Sequence, residues 1–209
     1  MAIGTLKKVT APRARDVCAH FDLSEEAKGL LDDVIAPAAF LELLIEKGHL
    51  MDAIRLLAFA LPKREAVWWA CLCAREMLAQ DAPPALDEVI KAAETWVYKP
   101  TEENRRLAME KAEKAGFDKP ASWAAVGAFW SGGSMAPPAA PVVPPAETLT
   151  AKAVSGAILL AAVQREPERA AERHRQFLDD GIDIAMGGTG KKRKGGTAGP
   201  SIAAGSRGG

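Results

Sequence analysis

The sequence predicts an all-α protein: a helical bundle or a short array of antiparallel helical hairpins, followed by a Pro-rich linker and a C-terminal helical pair. Three observations predict it. Apolar residues recur three and four positions apart, as in Leu86, Val89, Ile90, Ala93, Trp96 and Val97, a spacing that only a helix gathers onto one face. No segment sustains the two-residue alternation of a half-buried strand. Proline and glycine fall where helices begin and stop, as at Pro37 and Gly48, since proline suits the first helical position and glycine the residue after the last turn.

In chain order, "RARDVCAHFDLSEEAKGLL" predicts one or two short helices, with Asp22 and Glu25 as a capping box. The segment from Pro37 to Gly48 is a helix whose wet face carries Glu42 and Glu46. "HLMDAIRLLAFALP" is the next, with His49, Asp52 and Arg55 on a polar stripe, and Pro62 divides it from "KREAVWWACLCAREMLAQ". The Leu86–Val97 helix follows. "TEENRRLAMEKAEKAGF" is a more solvated helix between an N-cap at Thr101 and a C-cap at Gly116, with i,i+4 pairs Glu102–Arg106 and Glu110–Lys114 and a small-residue stripe of Ala108, Ala112 and Ala115. "KPASWAAVGAFW" puts Trp123, Val126, Gly127 and Trp130 on one face. Five or six helices therefore lie between 37 and 131, joined by short turns that favour antiparallel neighbours. No motif recurs at a fixed period, so known helical-repeat signatures are absent.

Residues 1–131 form the expected helical domain. Residues 132–147 hold five prolines and no charge before Glu147, the composition of a semi-rigid polyproline spacer. Residues 148–186 read as the helical pair, broken near Pro167, with an apolar face of Val154, Ile158, Leu159 and Ala162. That face needs cover, which predicts docking on the first domain. Residues 187–209 are Gly-rich and basic, a disordered tail by composition. The chain is formally neutral, with 27 bases and 27 acids, yet this tail carries Lys191, Lys192, Arg193, Lys194 and Arg207 and no acid, so the remainder is formally −5. An acidic body with a basic end argues against nucleic acid as the partner. Three cysteines make no secreted disulfide framework. No apolar leader and no run of membrane-spanning length are present, so the cytoplasm is the expected location.

The motif with the most chemical content is "AVWWACLCA", residues 66–74. Cys71 and Cys73 are two apart, which on a helix splits their side chains by about 200°. They cannot hold one ion or pair as a dithiol, and a helix apolar all round is a buried one. Adding Cys18 and His20 gives four zinc-type ligands at poor spacing. "GGTGKK" lacks the first glycine and the final Ser/Thr of a phosphate-binding loop, with Ala185 and Lys192 in those places. His20, His49 and His174 are scattered, and His174 in "RAAERHRQF" reads as solvated. "DDGID" reads as a helix ending at Gly181. None of these implies a catalytic residue, a cofactor or a metal. Partner binding is expected instead at Phe129 and Trp130, aromatics at a helix end beside the linker, and at Lys191, Lys192, Arg193 and Lys194, which could meet an acidic partner, phosphate or lipid headgroup.

"LPKREAVWWACLCARE", "WVYKPTEENRRLAMEKAE" and "SWAAVGAFWSGGSM" together resemble an uncharacterised family of small helical bacterial proteins associated with type VI secretion gene clusters, over most of residues 30–186. The resemblance brings no catalytic residues with it. It implies a non-catalytic accessory of a secretion system, an adaptor, chaperone-like protein or scaffold with a protein partner. The alternative is an enzyme or metal-binding protein whose site is assembled from residues distant in sequence.

Overall fold

The tandem-tryptophan helix α5 (Lys63–Glu76) runs through the middle of the protein, whose structure, a computed structural model, describes residues 3–190. The other helices are α1 (Ala14–Cys18), α2 (Glu25–Lys28), α3 (Pro37–Glu46), α4 (Leu50–Ala60), α6 (Pro84–Tyr98), α7 (Glu102–Ala115), α8 (Pro120–Phe129), α9 (Leu149–Val163) and α10 (Ala170–Met186), with a single 3-10 turn at Pro167–Arg169. Among the described residues there is no strand, and no helix is long and apolar enough to cross a membrane. The fold is all-α.

Helix α3 packs on α4, and α5, α6, α7 and α8 each pack on the next in the chain, while the C-terminal pair closes the assembly. Helices α5, α8 and α9 pack on one another, α6 and α7 extend the group on one side, α4 covers α9, and α10 crosses α4, α5 and α9. The sequence shows why α8 and α9 sit inside. Every residue of α8 except Trp123 is buried, as a helix apolar on all sides must be. Helix α9 buries Ala153, Val154, Ala157, Ile158, Ala161 and Ala162, and the four alanines among them let its backbone approach its neighbours. Helix α7 is charged on most of its surface and buries only Ala108, Ala112 and Arg105. Buried side chains from α1 through α10 join in one cluster.

Several helix boundaries lie where local chemistry puts them. Pro37 opens α3, Gly48 and Gly116 take positive φ beyond α3 and α7, and the Thr101 hydroxyl accepts the Asn104 N–H at the start of α7. Two boundaries differ from expectation. Helix α2 is capped by Ser24, whose hydroxyl accepts the Ala27 N–H while donating to Asp52 at 2.7 Å, so the capping pair of Asp22 and Glu25 does not form. The deeper reason is that Asp52 is buried on α4 and needs donors. Helix α10 does not end at Gly181 but continues to Met186.

Gly181 stays in the helix because the Trp69 ring lies against it. A Cβ there would sit 2.6 Å from Trp69 Cε2 and 2.8 Å from Leu57 Cδ2, both fully buried side chains. The Trp69 Nε1–H donates to the Phe177 carbonyl at 2.7 Å, one turn earlier on α10. The indole thus buries its ring on a bare stretch of helix backbone and satisfies its only polar group there.

The Pro-rich segment is held at both ends. Lys63 Nζ pairs with Glu147 at 2.8 Å and donates to the Ser131 carbonyl at 3.2 Å. Arg105 and Arg106 donate to the Ser134 carbonyl, and Arg106 also to that of Ala136. Between these anchors Val142 is 76% exposed, and the Met135 N–H closes the loop on the Val143 carbonyl. The turn between α9 and α10 is fixed by another arginine. Glu166 adopts φ 45°, and Arg173 donates to its carbonyl and carboxylate and to the Ala162 carbonyl at the end of α9.

The Trp69 contact makes a two-sided prediction. Gly181→Ala will overpack the α5–α10 crossing and destabilise the protein by about 1–3 kcal/mol. Gly156→Ala, on the exposed side of α9 with nothing within 4 Å, will stabilise it by about 0.5–1 kcal/mol. Thermal melts of the two variants will therefore move in opposite directions.

Candidate functional site

The tandem tryptophans divide between interior and surface. Side chains of adjacent helical residues point about 100° apart, so with Trp69 turned onto α10, Trp68 emerges beside the last turn of α6. There it meets Tyr98 edge-on, with ring centroids 5.8 Å apart. Tyr98 is 68% exposed. Trp68 and Tyr98 line a cleft of about 280 Å³ whose floor includes Val97 and Ile184 and whose rim carries Lys8, Arg64 and Glu65.

The third wall of the cleft is the short strap 187–190 that follows α10. Gly187 is left-handed at φ 103°, and Gly190 also has positive φ, conformations open to glycine at little cost. The strap folds back because Asp183 receives it: its carbonyl accepts the Gly188 N–H and its carboxylate the Gly190 N–H, each at 2.8 Å. The Thr189 carbonyl accepts the Trp68 Nε1–H at 2.8 Å. Hydrogen bonds therefore tie the strap to α10 and to Trp68 on α5, while Tyr98 joins through its ring contact.

The thiols lie elsewhere. Cys71 and Cys73 are fully buried on α5, and Cys18 is buried at the end of α1. Burial pushes all three thiols up, Cys18 to about 12, and Asp52 adds to the rise there. Among the described residues no three His, Cys, Asp or Glu side chains gather as a metal site would need. His174 is not solvated as its charged sequence context suggests. It is 8% exposed, its Nε2 has no hydrogen-bond partner, and burial lowers its pKa. The reason is that α10 is covered by α4, α5 and α9 rather than by one neighbour.

The buried and half-buried charges outside the cleft serve the fold. Arg105, on α7, lies 4.4 Å over the Phe129 ring, donates to the Phe129 carbonyl and pairs with Glu102. Together with Arg106 it holds the Glu102 carboxyl down to about 2. Arg75 joins α5 to α6 through Asp87 and Glu94. Asp52 holds Ser24 and Arg55.

The residues expected to bind a partner are dispersed. Phe129 is 6% exposed beneath Arg105. Trp130 is half-buried and meets Trp123 edge-on at 6.3 Å. Lys191, Lys192, Arg193 and Lys194 lie outside the described residues. The cleft was missed, although one signal in the sequence points to it. Trp68 follows Arg64 and Glu65 by four and three residues, so two charges share its helix face, whereas Trp69 has only Glu65 at such a spacing. Tyr98, the single tyrosine, carries no such signal.

Fold and cleft together define a helical protein with buried thiols and an aromatic groove at its surface whose rim carries Lys8, Arg64 and Glu65. Residues 40–185 match the model of a family of unknown function, DUF6931. The chain belongs to that family. Neither a curated protein nor a solved structure matches it.

Two measurements check the interior chemistry. The native protein will react with a water-soluble thiol reagent at pH 8 only at the rate at which it unfolds, and all three cysteines will react at once in denaturant. For His174 the folded pKa lies below the unfolded value of 6.5. The folded state then binds fewer protons, so the stability is complete above 6.5 and is lost as pH falls towards the folded value. The melting temperature will decline from pH 7.5 to 5.5, and His174→Gln will flatten that decline.

Proposed function

We propose that this protein is a non-catalytic interaction protein, an adaptor or scaffold accessory, and that it takes a segment of a protein partner in the Trp68–Tyr98 cleft. The observation that carries this reading is the pair of rings at 5.8 Å, one of them 68% exposed, at the junction of two packed helices. Trp and Tyr held rigidly in this way offer large contact area with little rotamer entropy left to lose, which is why they dominate the energetics of protein interfaces. A cleft of about 280 Å³ lies just under the usual range for small-molecule pockets and suits one or two side chains. The resemblance to proteins of type VI secretion gene clusters supports a cytoplasmic accessory of a secretion machine as the setting.

Site-specific photocrosslinking in the native cell tests the reading. A benzoylphenylalanine at position 98 will capture one protein in a discrete adduct, and Trp68→Ala will diminish it. The same probe at Phe117, an exposed ring on another face, will not capture that protein. Equal capture at the two positions, or none at 98, would reject the cleft as the binding surface.

A further inference from the structure

We infer that Trp68 and Asp183 form a clamp for a single peptide group, filled in this structure by the chain's own Thr189–Gly190 unit, and that the partner segment takes its place: an extended stretch carrying a glycine close to a large apolar side chain. This rests on the interaction reading above and adds the partner's chemistry. The Trp68 Nε1–H donates to the Thr189 carbonyl, and the Asp183 carboxylate accepts the Gly190 N–H, each at 2.8 Å. That carbonyl and that N–H belong to one peptide bond. In a trans peptide they point in opposite directions, so α5 holds the group from one side and α10 from the other.

The clamp selects glycine. Gly190 is buried and has φ 68°, and a Cβ there would lie 2.8 Å from both Ile184 Cδ1 and Leu72 Cδ1. The left-handed backbone and the close approach both favour a residue without a side chain. The two hydrogen bonds go to backbone groups, so the clamp does not distinguish this chain's Thr189–Gly190 unit from the same unit in another protein. Recognition of an extended segment commonly divides this way, with main-chain bonds for affinity and a neighbouring pocket for specificity.

The apolar part of the ligand follows from what the strap lacks. It brings Gly187, Gly188 and Thr189 to the cleft wall and no large side chain to the Trp68–Tyr98 ring pair. A partner segment with a large apolar residue beside its glycine keeps both clamp bonds and adds that contact. Trp68 borders the clamp and the ring pair alike, and a chain advances by at most about 3.6 Å per residue, so the apolar residue and the glycine lie within about three positions of each other. The tether gives the strap a high effective concentration, and the added side chain is what lets an untethered segment replace it. Binding is an exchange because one peptide group fills the clamp.

The test is selection of a displayed library of random ten-residue peptides on the full 209-residue chain, followed by calorimetry and amide hydrogen exchange with the selected peptide. The expected consensus is a glycine near one large apolar residue. Binding to the unaltered protein will open the Gly190 amide to exchange and leave the Trp68 indole N–H protected. Two glycine substitutions will act in opposite directions. Changing the peptide's glycine to valine will weaken binding about tenfold. Gly190→Val in the protein, which unseats the strap and leaves Trp68 and Asp183 in place, will strengthen it about tenfold by removing the internal competitor. Tyr98→Ala will weaken binding about tenfold, and unchanged melting temperatures will confirm that the two protein variants fold. Peptides that depend on Tyr98 but carry no glycine and leave the Gly190 amide protected would overturn the clamp and leave the cleft reading standing, as would weaker binding to folded Gly190→Val. No enrichment, or selected peptides insensitive to Tyr98→Ala, would overturn both.

Discussion

The Trp69 ring resting on the bare backbone of α10 is the contact on which the remaining packing depends. A tryptophan can approach another helix this closely only where the facing residue has no Cβ, and Gly181 is that residue. The hydrogen bond to the Phe177 carbonyl then fixes the rotation of α5 about its own axis. Once that rotation is set, Trp68 has only one direction left, outward beside Tyr98, and the end of α10 arrives on the other side of it. The shape of the surface cleft is in this sense a consequence of an interior contact. Its walls are placed by the packing of the core, and its own hydrogen bonds are those of the strap.

The second organising feature is the use of arginine to secure irregular backbone. Carbonyls that a helix leaves unpaired need donors when they are not solvated. Arg105 supplies them to Phe129 and Ser134, and Arg173 supplies them to Ala162 and Glu166. A guanidinium offers five N–H groups in a fixed fork, so one side chain can serve several carbonyls and still pair with a carboxylate. Both arginines are buried at places where the chain leaves a helix, and both would read from sequence as ordinary members of a charged helix face.

How much of this was legible in the sequence follows from the range of each interaction. Periodicity reports on a single helix, and where one face meets one neighbour it reads correctly: all six apolar residues of the Leu86–Val97 stripe are buried. It fails where a helix is crossed from several sides. Arg173 and His174 sit among charges in the sequence, yet α4, α5 and α9 together cover them. Glycine was ambiguous for the same reason. A glycine that ends a helix and one that admits a tryptophan look alike until the partner, more than a hundred residues away, is known. Phe129 seemed open because nothing near it in the chain announces Arg105, 24 residues earlier, over its ring. The cleft required three distant elements, Lys8, the α5–α6 junction and residues 187–190, and no local pattern joins them.

The place of α9 between α4, α5 and α8 has a consequence for synthesis. Helices α5 and α8 have their deepest neighbours in residues 149–186, and the Trp69–Phe177 hydrogen bond spans 108 positions. During translation the first eight helices therefore emerge before the element that completes their interior, leaving the Trp69 ring and the α9-facing side of α8 without cover for the time needed to add some sixty residues. At about 5–20 residues per second that interval is roughly 3–12 s, long compared with hydrophobic collapse. The nascent chain spends it with that apolar surface uncovered. Only when α10 leaves the ribosome can the indole find its glycine and the cooperative core close.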